Sequence, residues 1–548
     1  MSKIKMFALG GQNETGKNMY VVEVDNDIFV FEAGLKYSED ASLGIDYVIP
    51  NYDYLKENKD RIVGIFITHG HDEQMGALAD ILPDLPNVKV YATKFTKTII
   101  DKMLIEENIP TDNIIELQLH RNVSFGKNSI FPIRVSHSTP DAVMYVLYTE
   151  DGAIVFSGNY VIDPSMIGCF NSDIGKIAYV GKQGVLAFLN ESVYAAKKGF
   201  TSPSHRARDI IRETINKHED RILFNIMQAQ IFRIQEILDE VMKTDRNVVI
   251  MGKKLEEIVM DSIDMGYIRF DKNRIKSIKN VDEKGIIVLV SNEREMPYSN
   301  IKRILRGTDK FITLNETDTV VFASPVYDNI EVLSTKVFDE VAQKGCNLVI
   351  LSKKQYRSPH ASSEDIMMML NMLNPKYYIP VTGEYRYQVE NARLAYKLGM
   401  DENHVLLKLN GDVVTILNGN LVDSDEKVKV DEILIDGKQA GDIGDLVIKD
   451  RELLGENGIV IVTTTLDKQT KKVLAGPEIL TRGFIYVKDN TDIIEEASKQ
   501  SLEVINSFIN PQYVDFNKIK VGIREKLGKY FYQQTGSKPM IIIVVQEV

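Results

Sequence analysis

The sequence predicts an α/β protein of several domains, and three observations predict it. A chain of 548 residues exceeds what one hydrophobic core serves and suggests two to four domains. Residues 4–199 read mostly as short strands separated by Gly, Asn and Asp turns, with a few helical stretches between them. Beyond residue 204 strands and helices alternate, the pattern of βαβ units and a parallel sheet.

Taken in order, β-rich runs place strands at residues 3–9, 19–24, 28–32, 62–68, 88–92, 130–135, 143–148 and 153–157, with helices at 75–82 and 96–106. Helical periodicity over 207–243 opens a second domain. Strands follow at 248–251, 285–290, 319–324 and 347–351, with helices at 255–265, 300–305 and 330–343. A helix at 363–374, a strand at 376–381 and a helix at 385–398 again include a polar loop, so the chain is read as returning to the first domain and the second as an insertion. An irregular segment, 431–445, precedes a third unit with strands at 458–464, 472–475, 483–487 and 540–545 and helices at 492–508 and 516–533. The last strand is apolar on both faces and needs cover from neighbours or from a partner subunit. The expected boundaries are 1–203 with 364–430, an insert at 204–363, a linker at 431–452 and a C-terminal domain at 453–548.

Composition narrows the class. A hydrophobic fraction of 44% and a charged fraction of 26% are those of a soluble globular protein. Two cysteines, Cys169 and Cys346, cannot staple so long a chain, which points to a reducing cytoplasm. No targeting segment and no membrane-length apolar run is visible, so neither secretion nor a membrane partner is expected. The net charge of −12 argues against a basic coat for nucleic acid and leaves room for a local basic channel.

Two stretches carry chemistry. Residues 11–18 nearly satisfy the phosphate-loop spacing, but Asn18 stands at the Ser/Thr position and a strand follows where that motif needs a helix, so nucleotide binding is set aside. The run Thr68-His69-Gly70-His71-Asp72-Glu73-Gln74 ends an apolar strand with two histidines one residue apart, on the same side of an extended chain. His137 and His360 also lie in loops beside strands. They sit within the blocks Ser136-His137-Ser138-Thr139-Pro140-Asp141 and Ser358-Pro359-His360-Ala361-Ser362, alongside Ser157-Gly158-Asn159-Tyr160 and Val381-Thr382-Gly383-Glu384. A lone histidine after a strand is usually structural, but four in shared company shift that balance toward metal chemistry.

With these blocks in view, the chain resembles the ribonuclease J family of metallo-β-lactamase-fold nucleases carrying an inserted β-CASP domain, and within it an active-site-altered paralogue. The resemblance runs end to end. It extends through Gly16-Lys17-Asn18-Met19-Tyr20 and Leu43-Gly44-Ile45-Asp46 to Gly441-Asp442-Ile443-Gly444 and Thr481-Arg482-Gly483-Phe484. It implies an αββα sandwich, two-metal hydrolysis of RNA phosphodiesters from a 5′-monophosphate end or internally, and a C-terminal dimerisation domain. The implied partners are RNA and either a second copy or a ribonuclease J paralogue.

Residue by residue, the resemblance gives His69, His71 and His137 to a first metal ion. Around the second ion, Glu73, Gln74 and Thr382 stand where the family has Asp, His and His; Asn159 replaces a bridging Asp, and Glu32 an upstream Asp. Arg357, Ser358, His360 and Ser362 match a phosphate-gripping block, and Ala229-Gln230-Ile231-Phe232-Arg233 keeps Arg233 from another. His360 and Glu73 are the implied catalytic residues, with Glu73 and Asn159 as substitute ligands.

Two cations ~3.5–4 Å apart need an anion between them, and a neutral Asn159 with a hydroxyl at Thr382 supplies none. One divalent ion, or a weakly held one, is therefore expected. Manganese is favoured over zinc because Glu73 and Gln74 offer oxygen donors. Two readings follow: a weak metal-dependent ribonuclease, or a catalytically quiet RNA-binding subunit of an active paralogue. Hydrolysis of a β-lactam or thioester leaves the inserted domain without a role.

Overall fold

The computed structural model describes residues 2–38, 44–293, 296–324, 326, 330–422, 425–437, 439–440, 445–485, 490–510 and 513–548. The chain divides into two compact units, one of Met1–Tyr37 with Tyr47–Ile433 and one of Ser38–Asp46 with Leu434–Val548.

In the first unit, two sheets face each other. An eight-stranded sheet runs from Asn420–Val422 and Val414–Leu417 through Lys3–Gly10, Met19–Val24, Asp27–Phe31, Ile62–Phe66 and Val90–Thr93 to Ile114–Leu117. A six-stranded sheet runs from Tyr377–Val381 through Val185–Glu191, Gly152–Phe156, Val143–Thr149 and Asn128–Arg134 to Val123–Phe125. Phe29, Phe31 and Phe66 of the first sheet meet Tyr145, Phe156 and Leu189 of the second in one buried core, the consequence of strands that turn alternate apolar side chains inward. On the outer face of the six-stranded sheet, Phe188 and Tyr378 pack against the helices Ile174–Gln183, Ser363–Leu373 and Tyr385–Lys397.

The strand Tyr377–Val381 pairs in parallel with Val185–Glu191. Between the two in sequence lies a separate all-parallel sheet in the order Ile275–Lys276, Val248–Met251, Ile287–Asn292, Ile222–Met227, Thr319–Phe322, Asn347–Ile350. Its two faces carry separate hydrophobic cores, as a parallel sheet covered by helices on both sides requires. This is the expected sandwich with an inserted α/β domain. One element differs. The helical stretch expected over 207–243 is two helices, Arg208–Lys217 and Ile231–Val241, separated by the fully buried strand Ile222–Met227. A short continuous apolar run satisfies either periodicity, and only its place at the centre of a sheet decides between them.

The second unit centres on the strand Ile459–Leu466, between antiparallel Val473–Arg482 and parallel Met540–Glu547. The helices Thr491–Ser507 and Phe516–Thr535 cover one face through Val504, Ile519, Ile523 and Phe531. Two strands were expected at 472–475 and 483–487. One ten-residue strand is present instead, because Pro477 lies on an edge strand where it interrupts nothing; residues 486–487 lie outside those described. The expected linker, 431–452, contains the strand Glu432–Asp436 and the start of the helix Asp445–Asn457. Leu43 and the block Gly441-Asp442-Ile443-Gly444 lie outside the described residues.

Candidate metal centre

Strand ends place the three histidines together. The strand Ile62–Phe66 delivers His69 and His71, and the loop after Asn128–Arg134 delivers His137. Their ligand nitrogens lie within 4.8 Å of one another, with ring centroids 4.4 to 5.0 Å apart. Hydrogen bonds at the far edge of each ring decide which nitrogen is left. His137 Nδ1 donates to the Pro359 carbonyl at 2.9 Å, His71 Nε2 faces Ser138 Oγ at 3.1 Å, and His69 Nδ1 faces Thr68 Oγ1 at 2.9 Å. The remaining atoms are His69 Nε2, His71 Nδ1 and His137 Nε2. The first two lie 3.2 Å apart, and the third is buried without a hydrogen-bond partner among the described residues. Burial, and the neighbouring imidazoles after it, hold His69 and His137 well below the usual histidine range, which keeps them neutral and able to ligate. Three converging imidazoles, each oriented by an outer hydrogen bond, fit one divalent ion with an open coordination position.

The positions expected to hold a second ion are built differently. Glu73 and Gln74 lie in the short helix Asp72–Met75, whose carbonyls are latched by the neighbouring loops. Asn18 donates to the Glu73 carbonyl from its backbone (3.2 Å) and its side chain (2.9 Å), Leu35 N–H to Asp72 at 3.0 Å, and Ala33 N–H to Gln74 at 2.6 Å. Gly34 permits this approach, since a Cβ there would fall 1.7 Å from the Glu73 carbonyl oxygen. The group of ligand atoms within 4.8 Å of one another consists of the three histidines. Gln74 is buried, and its Oε1 has no hydrogen-bond partner among the described residues.

Thr382 is held in a left-handed conformation, φ 52°, uncommon for a β-branched residue. Its N–H donates to Gly11 O (3.1 Å) and to Tyr20 Oη (3.1 Å), while its hydroxyl lies 3.0 Å from Tyr20 Oη and 3.4 Å from Asn18 Oδ1. Tyr20 donates its own proton to the Gly11 carbonyl at 2.9 Å. A closed, uncharged network therefore stands where a ligand histidine is expected. Asn159 is buried in the turn after Gly152–Phe156, and that turn packs on the histidine loop through Gly158, φ 57°, whose Cβ would lie 2.9 Å from the Thr68 methyl. These neutral groups do not fit a second cation.

His360 lies beside the cluster, its ring 5.9 Å from that of His137. Sequence reasoning missed its partner. Glu191, the fully buried end of the strand Val185–Glu191, accepts from His360 Nδ1 at 2.8 Å and from the backbone N–H groups of Tyr160 and Ala361 at 2.9 and 3.1 Å. No spacing motif links residues 169 positions apart; an acidic end to an otherwise apolar strand was the available signal.

The other expected contacts divide. Ser358 donates its N–H to Tyr194 Oη at 3.3 Å. Arg357 donates to Ser362 Oγ at 3.0 Å and to the Lys198 and Phe200 carbonyls. Ser362 is buried ahead of the helix Ser363–Leu373, its N–H on Asp365 at 2.9 Å and its hydroxyl 2.6 Å from that of Thr201. Arg233 is buried, donating to Glu236 at 2.6 Å and to the His205 carbonyl at 2.8 Å. Ser362 and Arg233 thus act inside the fold.

Four family descriptions match along the chain: the metallo-beta-lactamase superfamily at residues 13–165, the ribonuclease J beta-CASP domain at 219–339, the Zn-dependent metallo-hydrolase RNA specificity domain at 352–406 and the ribonuclease J C-terminal domain at 446–548. Among similar proteins are Ribonuclease J2 of Bacillus subtilis, 35% identical across 100% of this chain and 99% of its own length, and Ribonuclease J 2 of Staphylococcus aureus, 33% identical across 100% and 98%. A solved structure of a protein of unknown function from Enterococcus faecalis, 14% identical with a TM-score of 0.54, covers 76% of this chain and 100% of its own, and shows the fold alone. Among the described residues no helix is long and apolar enough to cross a membrane. The four matched domains and full-length relatives together place this chain in the ribonuclease J family of RNA-processing nucleases.

Proposed function

We propose that the chain is a slow ribonuclease working with a single divalent ion, manganese in preference to zinc, on RNA with a 5′-monophosphate end, in the cytoplasm. The observation that carries this reading is that ligand nitrogens of three histidines converge within 4.8 Å while the neighbouring positions are neutral and partly closed by hydrogen bonds. When bound, the ion supplies Lewis acidity and an activated water. His69, His71 and His137 are its ligands. Gln74 and Glu73, the loop's oxygen donors, make the surroundings harder than an all-imidazole shell. Because Glu191 holds His360 Nδ1, only Nε2 is left to give a proton to the leaving oxygen, a contribution of about 10²–10⁴-fold. Ser358 and His360 face the RNA, and Arg357 braces their loop against the carbonyls of residues 198 and 200. Purified chain should degrade 5′-monophosphorylated RNA slowly with added manganese, and His69→Ala combined with His71→Ala should abolish this; equal rates in the two proteins would overturn the proposal.

A specific observation also favours a role in assembly, with a second copy or an active paralogue. In the C-terminal sheet, Ile542 (40% exposed), Val544 (37%) and Leu480 (44%) leave an apolar face uncovered within their unit. On that reading, replacing Ile542 and Val544 by Asp lowers the assembly state in sedimentation and leaves metal uptake unchanged.

A further inference from the structure

We infer that the exposed face of the helix Phe516–Thr535, in the C-terminal unit, binds single-stranded RNA through backbone phosphates and a stacked base. This surface is separate from the histidine cluster. It draws on the RNA chemistry of the family and not on the one-ion reading.

The helix has two contrasting sides. Ile519, Ile523, Leu527 and Phe531, spaced every fourth residue, are buried in the core of their unit. The opposite side carries Lys520 and Arg524 along one flank and Lys529 along the other, all exposed, with Val521 (49% exposed), Gly528 and Tyr532 (52%) between them. The chain has a net charge of −12, yet this helix sets five basic residues, Lys518, Lys520, Arg524, Lys526 and Lys529, against Glu525 alone. The helix beside it in the same core, Thr491–Ser507, is acidic, with Asp492, Glu495, Glu496 and Glu503 against Lys499.

Neighbouring carboxylates take two of these cations and leave three. Lys518 pairs with Asp515 at 3.2 Å and Lys526 with Glu503 at 2.5 Å, whereas Lys520, Arg524 and Lys529 form no ion pair among the described residues. A solvated lysine face would explain the charge, but not the groups at its centre. Val521 and Tyr532 leave apolar surface uncovered among the cations. Gly528 lies one turn from both Arg524 and Tyr532 with open space beside it, where a Cβ would meet nothing within 4 Å. A glycine inside a helix weakens it, so this cleared surface is held against helix propensity. The Lys538 ammonium lies over the Tyr532 ring, 4.9 Å from its centre. Cations on both flanks of an exposed ring fit a strand whose phosphates meet the flanks while a base stacks on the ring, whatever that base is. An acidic protein segment would use the charges and has no base to lay on Tyr532.

The test measures binding of a fluorescein-labelled oligouridylate to the full chain by anisotropy, without divalent ion and over a series of salt concentrations. Lys520→Gln combined with Arg524→Gln and Lys529→Gln should weaken binding by about 10-fold and flatten the slope of log affinity against log salt by about 2, from three phosphate contacts at ~0.7 each. Tyr532→Ala should weaken it by about fivefold or more with the slope unchanged. Lys520→Arg with Lys529→Arg, which keeps the charge, should stay within about twofold of wild type. Neutralising Lys59, Lys253 and Lys310, exposed lysines of the other unit, supplies the comparison. An equal loss there means that RNA responds to net charge alone, and it overturns the inference. Unchanged affinity in the first triple variant overturns it as well. A lowered assembly state in sedimentation with RNA affinity intact would instead assign this face to contact between copies, basic helix against acidic. Thermal unfolding follows the fold; should the triple variant unfold, Tyr532→Ala against the arginine pair decides. None of these outcomes bears on the one-ion reading, which metal content tests separately.

Discussion

The two ends of one loop are finished differently. At His69 and His71, the outer ring nitrogens meet the hydroxyls of Thr68 and Ser138, and the inner ones face a common point. At Gln74, Thr382 and Asn159, the side chains are buried and neutral, and the hydroxyl of Thr382 is already bonded within the protein. The backbone is shaped with equal care in both places, since Glu32 and Thr382 each occupy left-handed conformations that cost about 1–3 kcal/mol. What separates the two regions is charge. A cation site needs several ligand atoms gathered at one point, and among the expected ligand positions the histidine cluster provides them.

The comparison is broken most forcefully by rebuilding the second position. Glu73→Asp with Gln74→His, Asn159→Asp and Thr382→His should raise the nuclease rate by at least about 10²-fold, measured on 5′-monophosphorylated RNA with manganese. An unchanged rate would mean that the neutral groups are not what limits the chemistry. A step smaller, His360→Gln should lower the residual rate by about 10²-fold while metal content stays at the wild-type level, which separates proton donation from ion binding. Thr382→Ala should lower stability by about 1–2 kcal/mol in thermal unfolding, by leaving Tyr20 and Asn18 short of a partner, without altering the rate. The mildest change is Gln74→Leu, which replaces a buried oxygen with no hydrogen-bond partner among the described residues and should shift stability by less than about 1 kcal/mol. Loss of bound metal in that variant would instead make Gln74 a ligand.

Much of this was legible in the sequence, for local reasons. Strand ends followed by Thr68-His69-Gly70-His71 and Ser136-His137-Ser138 announce imidazoles on rigid supports, and alternating elements after residue 204 announce a parallel insert. What stayed hidden depends on contacts across the fold. Glu191 is an acidic residue ending an apolar strand, and only the return of the chain at residues 359–361 gives it His360. Arg233 reads as a phosphate contact until Glu236, one helical turn away and equally buried, claims it. Thr382 reads as a lost ligand, and its hydrogen bonds to Tyr20, 362 positions earlier, explain what fills the place.

The central claim we propose is one ion at the histidine cluster, and metal content per chain tests it directly. Protein purified with manganese, assayed by elemental analysis alongside its nuclease rate, should carry about one ion per chain and cleave RNA slowly. Two ions per chain with a fast rate would contradict the account.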